Sequence, residues 1–292
     1  MRRTISLLSA VMGLSLLAAA CGSGSSSNPT GTTNTAAYRL VSATATKTQA
    51  AKSARMALTA TIKAAGHSLT MTGTGEFDTA DNEASLAMHI PTPKGTFSLE
   101  EIVTGSTIYM RLPAQLMQGV GKSWVKIDLG ALTGLNQAAL SQSPNAFADP
   151  TQALNELRGV SRDVEDLGTE SVRGVSTHHY RVDIDLKKAA ASLPASARCT
   201  FQASTKMLGT STLPAEVWID SQGRLRQMRF SMQFPAVPGA TSGGSMDMLL
   251  DLYDFGVPVH VKAPPASAVE DITQEAAGSQ PPQLRACTGT TT

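Results

Sequence analysis

A strict two-residue alternation of apolar and polar side chains runs through much of this chain and limits the folds open to it. In RMALTATIK, Met56, Leu58 and Ile62 share one phase, while Thr59 and Lys63 share the other. The same period continues in SLTMTGTGEF and EASLAMHI. Successive side chains of a β-strand point to opposite faces, so the pattern predicts strands with one dry and one wet face. Short turns such as DTADN favour an antiparallel meander.

Further strands and a few helices complete the predicted order. Strands are expected at TFSLEEIV, STIYMRL, SWVKIDL, EDLGTESVRG, STHHYRVDIDL, LPAEVWID, GRLRQMRFSMQF and SMDMLLDLYDF. A helix is expected over about 36–52, where Tyr38, Val41 and Ala45 form one stripe. Shorter helices are expected in GALTGLNQAALSQSP and in DPTQALNELRGV, the second capped by Asp149.

Methionine is the unusual component of the apolar phase. The methionines on it are Met56, Met71, Met88, Met110, Met228, Met232, Met246 and Met248. Methionine is flexible and polarizable, and promiscuous apolar binding surfaces use it heavily. Gly73 and Gly75 share the phase and are expected to leave room on it. Two interpretations stay open: this face lines a cavity for flexible acyl chains, or it is ordinary core beneath helices.

The start of the chain is typical of an export signal. Arg2 and Arg3 precede an apolar stretch over 5–20, which is too short to span a membrane. The stretch LAAAC, ending at Cys21, resembles the lipobox of bacterial lipoproteins, in which the cysteine receives acyl groups such as palmitate. Two or three acyl chains would anchor the protein stably, because each buried CH₂ contributes about 0.8 kcal/mol. The alternative is an ordinary secretory signal with an incidental cysteine.

Composition then divides the chain and excludes one class of partner. We expect a signal peptide over 1–20, a flexible Gly/Ser-rich tether over 21–35, one domain over 36–262 and a Pro-rich tail over 263–292. Loss of Arg2 and Arg3 from the 24 basic residues leaves 22, against 23 acidic residues. A nucleic-acid partner needs a basic face, so none is expected. We expect a monomer on the extracytoplasmic face of the cell membrane.

The two remaining cysteines, Cys199 and Cys287, form an even pair in an exported protein, for which a disulfide is the default. It would stabilise the fold by roughly 4 kcal/mol in the chain-entropy model and would hold the tail. The alternative is a redox or nucleophilic thiol, although the chain has no C-x-x-C motif.

Signatures of catalysis and of metal binding are missing from the sequence. It contains neither G-x-S-x-G nor H-E-x-x-H. GVGKS has Leu116 where a phosphate-binding loop needs its first glycine. His178 and His179 are neighbours on one predicted strand, so they point to opposite faces. Asp183 and Asp185 lie on a wet face with no calcium-loop pattern. We therefore expect no enzyme, no cofactor and no metal site.

Several stretches together resemble a known group of bacterial envelope proteins. TGSTIYMRLPAQLMQGVGKSWVKIDL, GVSTHHYRVDIDLKKA and LPAEVWIDSQGRLRQMRF, within 36–261, resemble the LolA-like and LppX/LprG-like lipoproteins of actinobacteria. The resemblance implies an α+β fold, in which a strongly curved antiparallel sheet forms an unclosed half-barrel. It also implies helices across the concave face and an apolar cavity that holds lipid acyl chains. The family has no catalytic residues to carry over.

These observations lead to two functional hypotheses. In the first, a membrane-anchored lipoprotein binds or transfers lipid in a cavity lined by Met56, Leu58, Ile62, Leu69, Met71, Met88, Met110, Met228, Met232, Met246 and Met248. In the second, the core is filled and the protein is a structural or protein-interaction lipoprotein of the envelope. The sequence does not distinguish them, and it does not identify a ligand.

Overall fold

The computed structural model describes residues 35–93, 95–113, 121–131, 160–193, 198–199, 201–202, 205, 210–234 and 243–278. All of them lie in the compact unit Thr33–Thr292. The expected signal peptide, the tether, Cys21, Cys287 and most of both short middle helices lie outside the described residues. Among the described residues, no helix combines the length and the apolar character that a membrane crossing needs.

Strands dominate the described part of the chain. In chain order they are β1 (Ser53–Ala64), β2 (His67–Asp78), β3 (Glu83–Thr92), β4 (Gly95–Thr104), β5 (Thr107–Arg111), β6 (Trp124–Asp128), β7 (Val160–Val172), β8 (Val175–Asp185), β9 (Thr212–Asp220), β10 (Leu225–Phe234), β11 (Gly244–Tyr253) and β12 (Val269–Asp271). The α-helices are α1 (Thr35–Gln49), α2 (Leu186–Ser192) and α3 (Thr273–Gly278). Short 3₁₀ helices cover Leu129–Ala131 and Ala266–Ala268. The predicted strands and the first helix are thus confirmed, with small changes at their ends.

The strands form one curved sheet that does not close on itself, in the order β12-β6-β5-β4-β3-β2-β1-β11-β10-β9-β8-β7. Neighbours are antiparallel except for β12, which runs parallel to β6. This confirms the predicted unclosed antiparallel sheet. The short β12 and the helix α3 fold within the stretch expected to be only a Pro-rich tail. Three residues cannot show a clear alternation, which is why the sequence did not indicate β12.

The N-terminal helix α1 packs its buried side against the apolar face of the sheet, which we call the inner face. Its buried residues are Ala37, Val41, Thr44, Ala45 and Thr48, which repeat at helical spacing. The helix packs against β7, β9 and β10. Its last turn is fixed to β10, because the Leu225 N–H donates to Thr48 Oγ1 at 2.9 Å. Thr48 Oγ1 in turn donates to the carbonyl of Thr44 at 2.7 Å.

Four central strands, β2, β1, β11 and β10, carry one continuous apolar face that changes along its length. At the end where α1 finishes, which we call the helix end, Met56, Met228 and Leu252 have no exposed area. They share one cluster with Val41 and Ala45 of α1. The opposite end lies beside the β1–β2 turn, and we call it the turn end. Its apolar residues are only partly buried; they are Ile62, Leu69, Met71, Met232 and Met246.

The glycines of β2 do not leave the free space expected of them. A Cβ built on Gly75 would lie 2.9 Å from the Cε methyl of Met56, so that methyl occupies the hollow. A Cβ on Gly73 would lie 3.2 Å from Cγ of Met88. The expectation that these two glycines provide room for a ligand is therefore wrong. The neighbouring methionines fill that room because an unbranched side chain adapts to an irregular gap.

Candidate functional site

The turn end is the part of the apolar face whose side chains are partly exposed to solvent; Met71, Met232 and Met246 also pack against the edge of the core. Strand pairing brings its residues together from both halves of the chain. Ile62 lies opposite Leu69 on β2 and opposite Met246 on β11. Met246 also lies opposite Met232 on β10. Side chains directly opposite each other are about 4.5–5.5 Å apart at Cβ, so these residues form one contiguous patch.

An open pocket of about 590 Å³ lies at the strand ends, and none of the five patch residues is among its described lining residues. Its lining comes from the β1–β2 turn and from the facing ends of β10 and β11; the residues are Lys63, Ala64, Ala65, Gly66, His67, Ser68, Gln233, Phe234, Gly243, Gly244 and Ser245. Ala65 and Gly66 both have positive φ, of 50° and 78°, which gives the tight turn its shape. The volume falls within the usual range of small-molecule sites.

Phe234 supplies the aromatic wall of the cavity. It lies opposite Gly244 in the β10–β11 pairing. A Cβ built on Gly244 would collide with the Phe234 ring and would lie 2.6 Å from the carbonyl oxygen of Lys63. The ring therefore covers the glycine backbone, and glycine is required at this position. Sequence reasoning did not include Phe234 in the site, although it continues the phase of Met228 and Met232.

The structure distributes the predicted cavity residues over three environments. Five are buried in the main core: Met56, Leu58, Met88, Met228 and Met248. Met110 is buried in a separate cluster with Val125 and Ile127. The other five, Ile62, Leu69, Met71, Met232 and Met246, form the partly buried patch of the turn end. The alternation identified the correct face in every case, but it did not distinguish these environments.

The helix end is closed by aromatic and cationic side chains. Phe255 packs against the core, and the guanidinium carbons of Arg224 and Arg226 lie 4.5 and 5.1 Å from the centre of its ring. Arg224 also pairs with the buried Asp220, with 2.8 Å between Nη2 and Oδ2. Burial lowers the pKa of Arg226, whose exposed fraction is 9 %. The predicted Asp220–Gly223 turn is confirmed, because Asp220 also accepts from the backbone N–H of Gln222.

One buried carboxylate interrupts the inner face nearer to β5. Glu101 is 4 % exposed and lies between Leu86 of β3 and Met110 of β5. It shares its phase with Leu99 and Val103, and TFSLEEIV already showed this. A charged residue on an apolar phase was the available signal, and sequence reasoning did not use it.

A polar cluster on the outer face contains His179, one of the two adjacent histidines considered in the sequence analysis. His179 stacks on Trp218 with ring centres 4.0 Å apart, while His178 is exposed. The Nδ1 atom of His179 lies 3.5 Å from a carboxylate oxygen of Glu170, and its Nε2 atom lies 3.6 Å from one of Glu216. Trp218 Nε1 donates to Glu170 at 2.6 Å. The carboxylates and rings of this cluster contact one another. We therefore treat the cluster as part of the outer surface of β7–β9.

The described residues offer little support for metal chemistry. Within them, no group of three or more His, Cys, Asp or Glu side chains could hold a metal ion. Asp185 serves as the N-cap of α2, because its carboxylate accepts from the N–H groups of Lys187 and Lys188. Cys199 lies in a short described stretch, but Cys21 and Cys287 lie outside the described residues. Lipidation and the disulfide therefore stay predictions.

Comparison with curated proteins finds a distant relative of uncharacterized function. No family model matches the chain. An uncharacterized 31.2 kDa protein in the rplA-rplJ intergenic region of Streptomyces griseus is 26 % identical over 162 residues. That match covers 53 % of this chain and spans half the length of the relative.

Solved structures of lipoproteins are similar to the chain. The lipoprotein LppX of Mycobacterium tuberculosis is 17 % identical with a TM-score of 0.44, covering 78 % of this chain and all of that one. LprF from Mycobacterium bovis is 14 % identical with a TM-score of 0.43, covering 78 % and 97 %. A domain from Vibrio parahaemolyticus named for outer membrane lipoprotein sorting is 10 % identical, with a TM-score of 0.30 and coverage of 76 % and 93 %. The group that the sequence resembles is thus represented among its structural neighbours.

Proposed function

We propose that this chain is an envelope lipoprotein, anchored to the extracytoplasmic face of the membrane through lipidated Cys21, that binds or transfers lipid at the turn end. One observation carries the proposal: a single apolar face changes from complete burial at Met56 and Met228 to partial burial at Met71 and Met232. An open pocket of about 590 Å³ lies at the same end of the sheet. The proposed role is binding, without catalysis or a cofactor.

The chemistry of the turn end suits a flexible apolar chain. Contiguous exposed apolar area on a soluble domain commonly marks a binding site. Methionine side chains can follow an acyl chain whose conformation varies, because they have three rotatable bonds. Each CH₂ group removed from water contributes about 0.8 kcal/mol, so a common acyl chain supplies ample driving force.

The experiment fills the turn end with larger side chains. The mature chain, residues 21–292 carrying Cys21→Ser, is titrated with a fluorescent fatty acid. Replacing Met71 and Met232 together by Trp should strongly reduce binding while the melting temperature changes little, since both positions are only partly buried. The matched control places Trp at the adjacent outer-face positions Thr72 and Ser231, which are exposed, and should leave binding unchanged.

The anchor is tested in cells. The wild-type chain should stay in the membrane fraction through a carbonate wash, and the Cys21→Ser variant should not. Retention of that variant would contradict lipidation of Cys21 as the anchor, without bearing on the lipid-binding result.

A second candidate function has its own supporting observation. The Met56 methyl fills the hollow at Gly75, and five of the predicted cavity residues are core. That packing favours a structural or protein-interaction lipoprotein whose apolar face holds no ligand. In that case the wild type would bind no fatty acid. The Trp double variant would be overpacked, at a cost of about 1–3 kcal/mol per site. The two candidates therefore predict opposite pairs of outcomes.

A further inference from the structure

Four polar side chains form one row on the outer face of the sheet at the turn end. Strand register places Lys63 of β1 opposite Ser68 on β2 and opposite Ser245 on β11, and Ser245 in turn lies opposite Gln233 on β10. All four belong to the phase that alternates with the apolar patch. All four also line the open pocket at the strand ends. The row is therefore a feature separate from the patch, on the other face of the sheet.

Lys63 differs from the other cations of the sheet in what lies opposite it. Its cross-strand neighbours are both serines, and within the described residues no carboxylate pairs with its side chain. The other lysines and arginines with a registered cross-strand neighbour each lie opposite an Asp or Glu; they are Arg55, Arg111, Lys126, Arg181 and Arg229. Among these registered positions, only Lys63 carries a charge with no carboxylate opposite.

The pocket around Lys63 is lined by hydrogen-bond donors. Its polar lining residues are a lysine, a histidine, two serines and a glutamine, all of which can donate, and none of its described lining residues is Asp or Glu. The nearest carboxylate by strand register is Asp247, which lies one outer-face row further from the turn and accepts a hydrogen bond from Ser231. A ligand that carries negative charge on several oxygens matches this lining.

We propose that this outer-face row is a binding site for a phosphate group, which accepts a charge-assisted hydrogen bond from Lys63 and hydrogen bonds from the hydroxyls of Ser68 and Ser245. Residues directly opposite each other are about 4.5–5.5 Å apart at Cβ, so the two serines flank the lysine closely enough to share one group. Donors from three strands suit a phosphate, which offers more acceptor oxygens than a carboxylate. Because the row lies on the other face from the apolar patch, this site does not depend on the proposed lipid-binding function.

The test separates two sources of a phosphate group, a soluble ester and a phospholipid head group. The mature chain with Cys21→Ser is isotope-labelled and titrated with glycerol phosphate, or with glycerol as the neutral probe, while the amide resonances of Lys63, Ser68 and Ser245 are followed. In a second arm it is sedimented with vesicles of phosphatidylcholine, with and without phosphatidylglycerol. Lys63→Gln removes the charge and keeps a polar side chain. Arg229→Gln is the matched control, since Arg229 is an exposed cation of the same face that does not line the pocket.

We expect glycerol phosphate to shift the three amide resonances saturably and glycerol to leave them unchanged. Lys63→Gln should weaken the binding of glycerol phosphate roughly three- to tenfold, the range expected for a partly screened charge-assisted contact. Arg229→Gln should leave it unchanged. The affinity should also fall with added salt, because the contact is near solvent. Binding of a fluorescent fatty acid should be the same in the wild type and in Lys63→Gln, since the apolar patch lies on the other face.

The two arms decide between the sources. If Lys63→Gln lowers sedimentation with phosphatidylglycerol vesicles more than Arg229→Gln does, the ligand is a lipid head group of the membrane surface. If only the binding of glycerol phosphate depends on Lys63, the ligand is a soluble ester. The inference is overturned if neither probe distinguishes Lys63→Gln from Arg229→Gln, whether because nothing binds or because both substitutions act equally. That result would leave the fatty-acid titration, and with it the proposed function, unaffected.

Discussion

The two ends of the same apolar face are built from the same residue types and differ in what covers them. At the helix end, Met56 and Met228 lie in the core with residues of α1, and Phe255 closes the end beneath two arginines. At the turn end, Met232 and Met246 are only partly buried, although they still pack against the edge of the core. The difference shows that the burial of a methionine on this sheet depends on which other elements pack over it.

The largest effect is expected when a methionine at each end of the apolar face is truncated to alanine and the free energy of unfolding is compared. Met56→Ala should lower the free energy of unfolding by about 2–5 kcal/mol, the range for fully buried large-to-alanine changes. Met246→Ala should lower it by about 1 kcal/mol or less, because the side chain is only partly buried. Urea denaturation with an unchanged m-value gives both numbers. Similar losses would mean that the turn end is packed as tightly as the helix end, against its assignment as a site.

A smaller loss of stability is expected when the hydrogen bond that holds α1 over the helix end is removed. Thr48→Val keeps the shape but removes the acceptor of the buried Leu225 N–H. Leaving that donor unsatisfied should cost about 1–3 kcal/mol. The exposed Thr46, two residues earlier on the same helix, provides the control Thr46→Val with the same change in helix propensity. Equal stability of the two variants would show that the 2.9 Å bond does not hold α1 on the sheet.

The smallest expected effect is a pH-dependent loss of stability at the edge strand β12, a third region that can be compared with the helix end and the turn end. Hydrogen bonds from Thr273 and then the ion pair with Lys126 lower the pKa of Asp271 to about 2, from an ordinary 3.8. A depressed pKa gives stability that is present above about pH 4 and lost as the pH falls toward 2. Protection of the Ile272 amide, which donates to the Lys126 carbonyl, should fall in this window.

Asp271→Asn should remove that acid response and leave the difference between the helix end and the turn end unchanged. The matched readout is amide protection at Leu225, which is bonded to α1 and distant in strand order from β12. Loss of protection at both amides in the same acid window would mean that the sheet responds as one unit. The contrast between its regions would then be weaker than the packing indicates.

Much of the sheet could be predicted from the sequence because the signal is local. Period-two alternation needs only neighbouring residues, so β1, β2 and β11 were identified with the correct inner phases. The turn at Asp220 was also predictable, since an aspartate followed by Gly223 with positive φ needs no distant partner. The same alternation placed Glu101 on the apolar phase. Its burial, however, depends on Leu86 and Met110, which lie opposite it on the two neighbouring strands.

The candidate site was predictable only in part, because burial depends on contacts that the alternation does not encode. Leu58 and Ile62 occupy the same phase of β1, yet Leu58 is core and Ile62 is only partly buried. Met110 shares the pattern and belongs to another cluster with Val125. Phe234 was missed because its role depends on facing Gly244, a partner ten residues further along the chain.

The pairing of β1 with β11 has a consequence for how the protein acquires its structure. It places Met56 opposite Leu252, so the centre of the sheet is a contact between residues almost 200 positions apart in the chain. Contacts of such long sequence separation form slowly, because the entropy of closing a large loop is lost before the contacts contribute any free energy. The strand pairs β1–β2 and β10–β11, which build the turn end, meet at this seam. The turn end therefore forms late in folding, once most of the chain is available to pair.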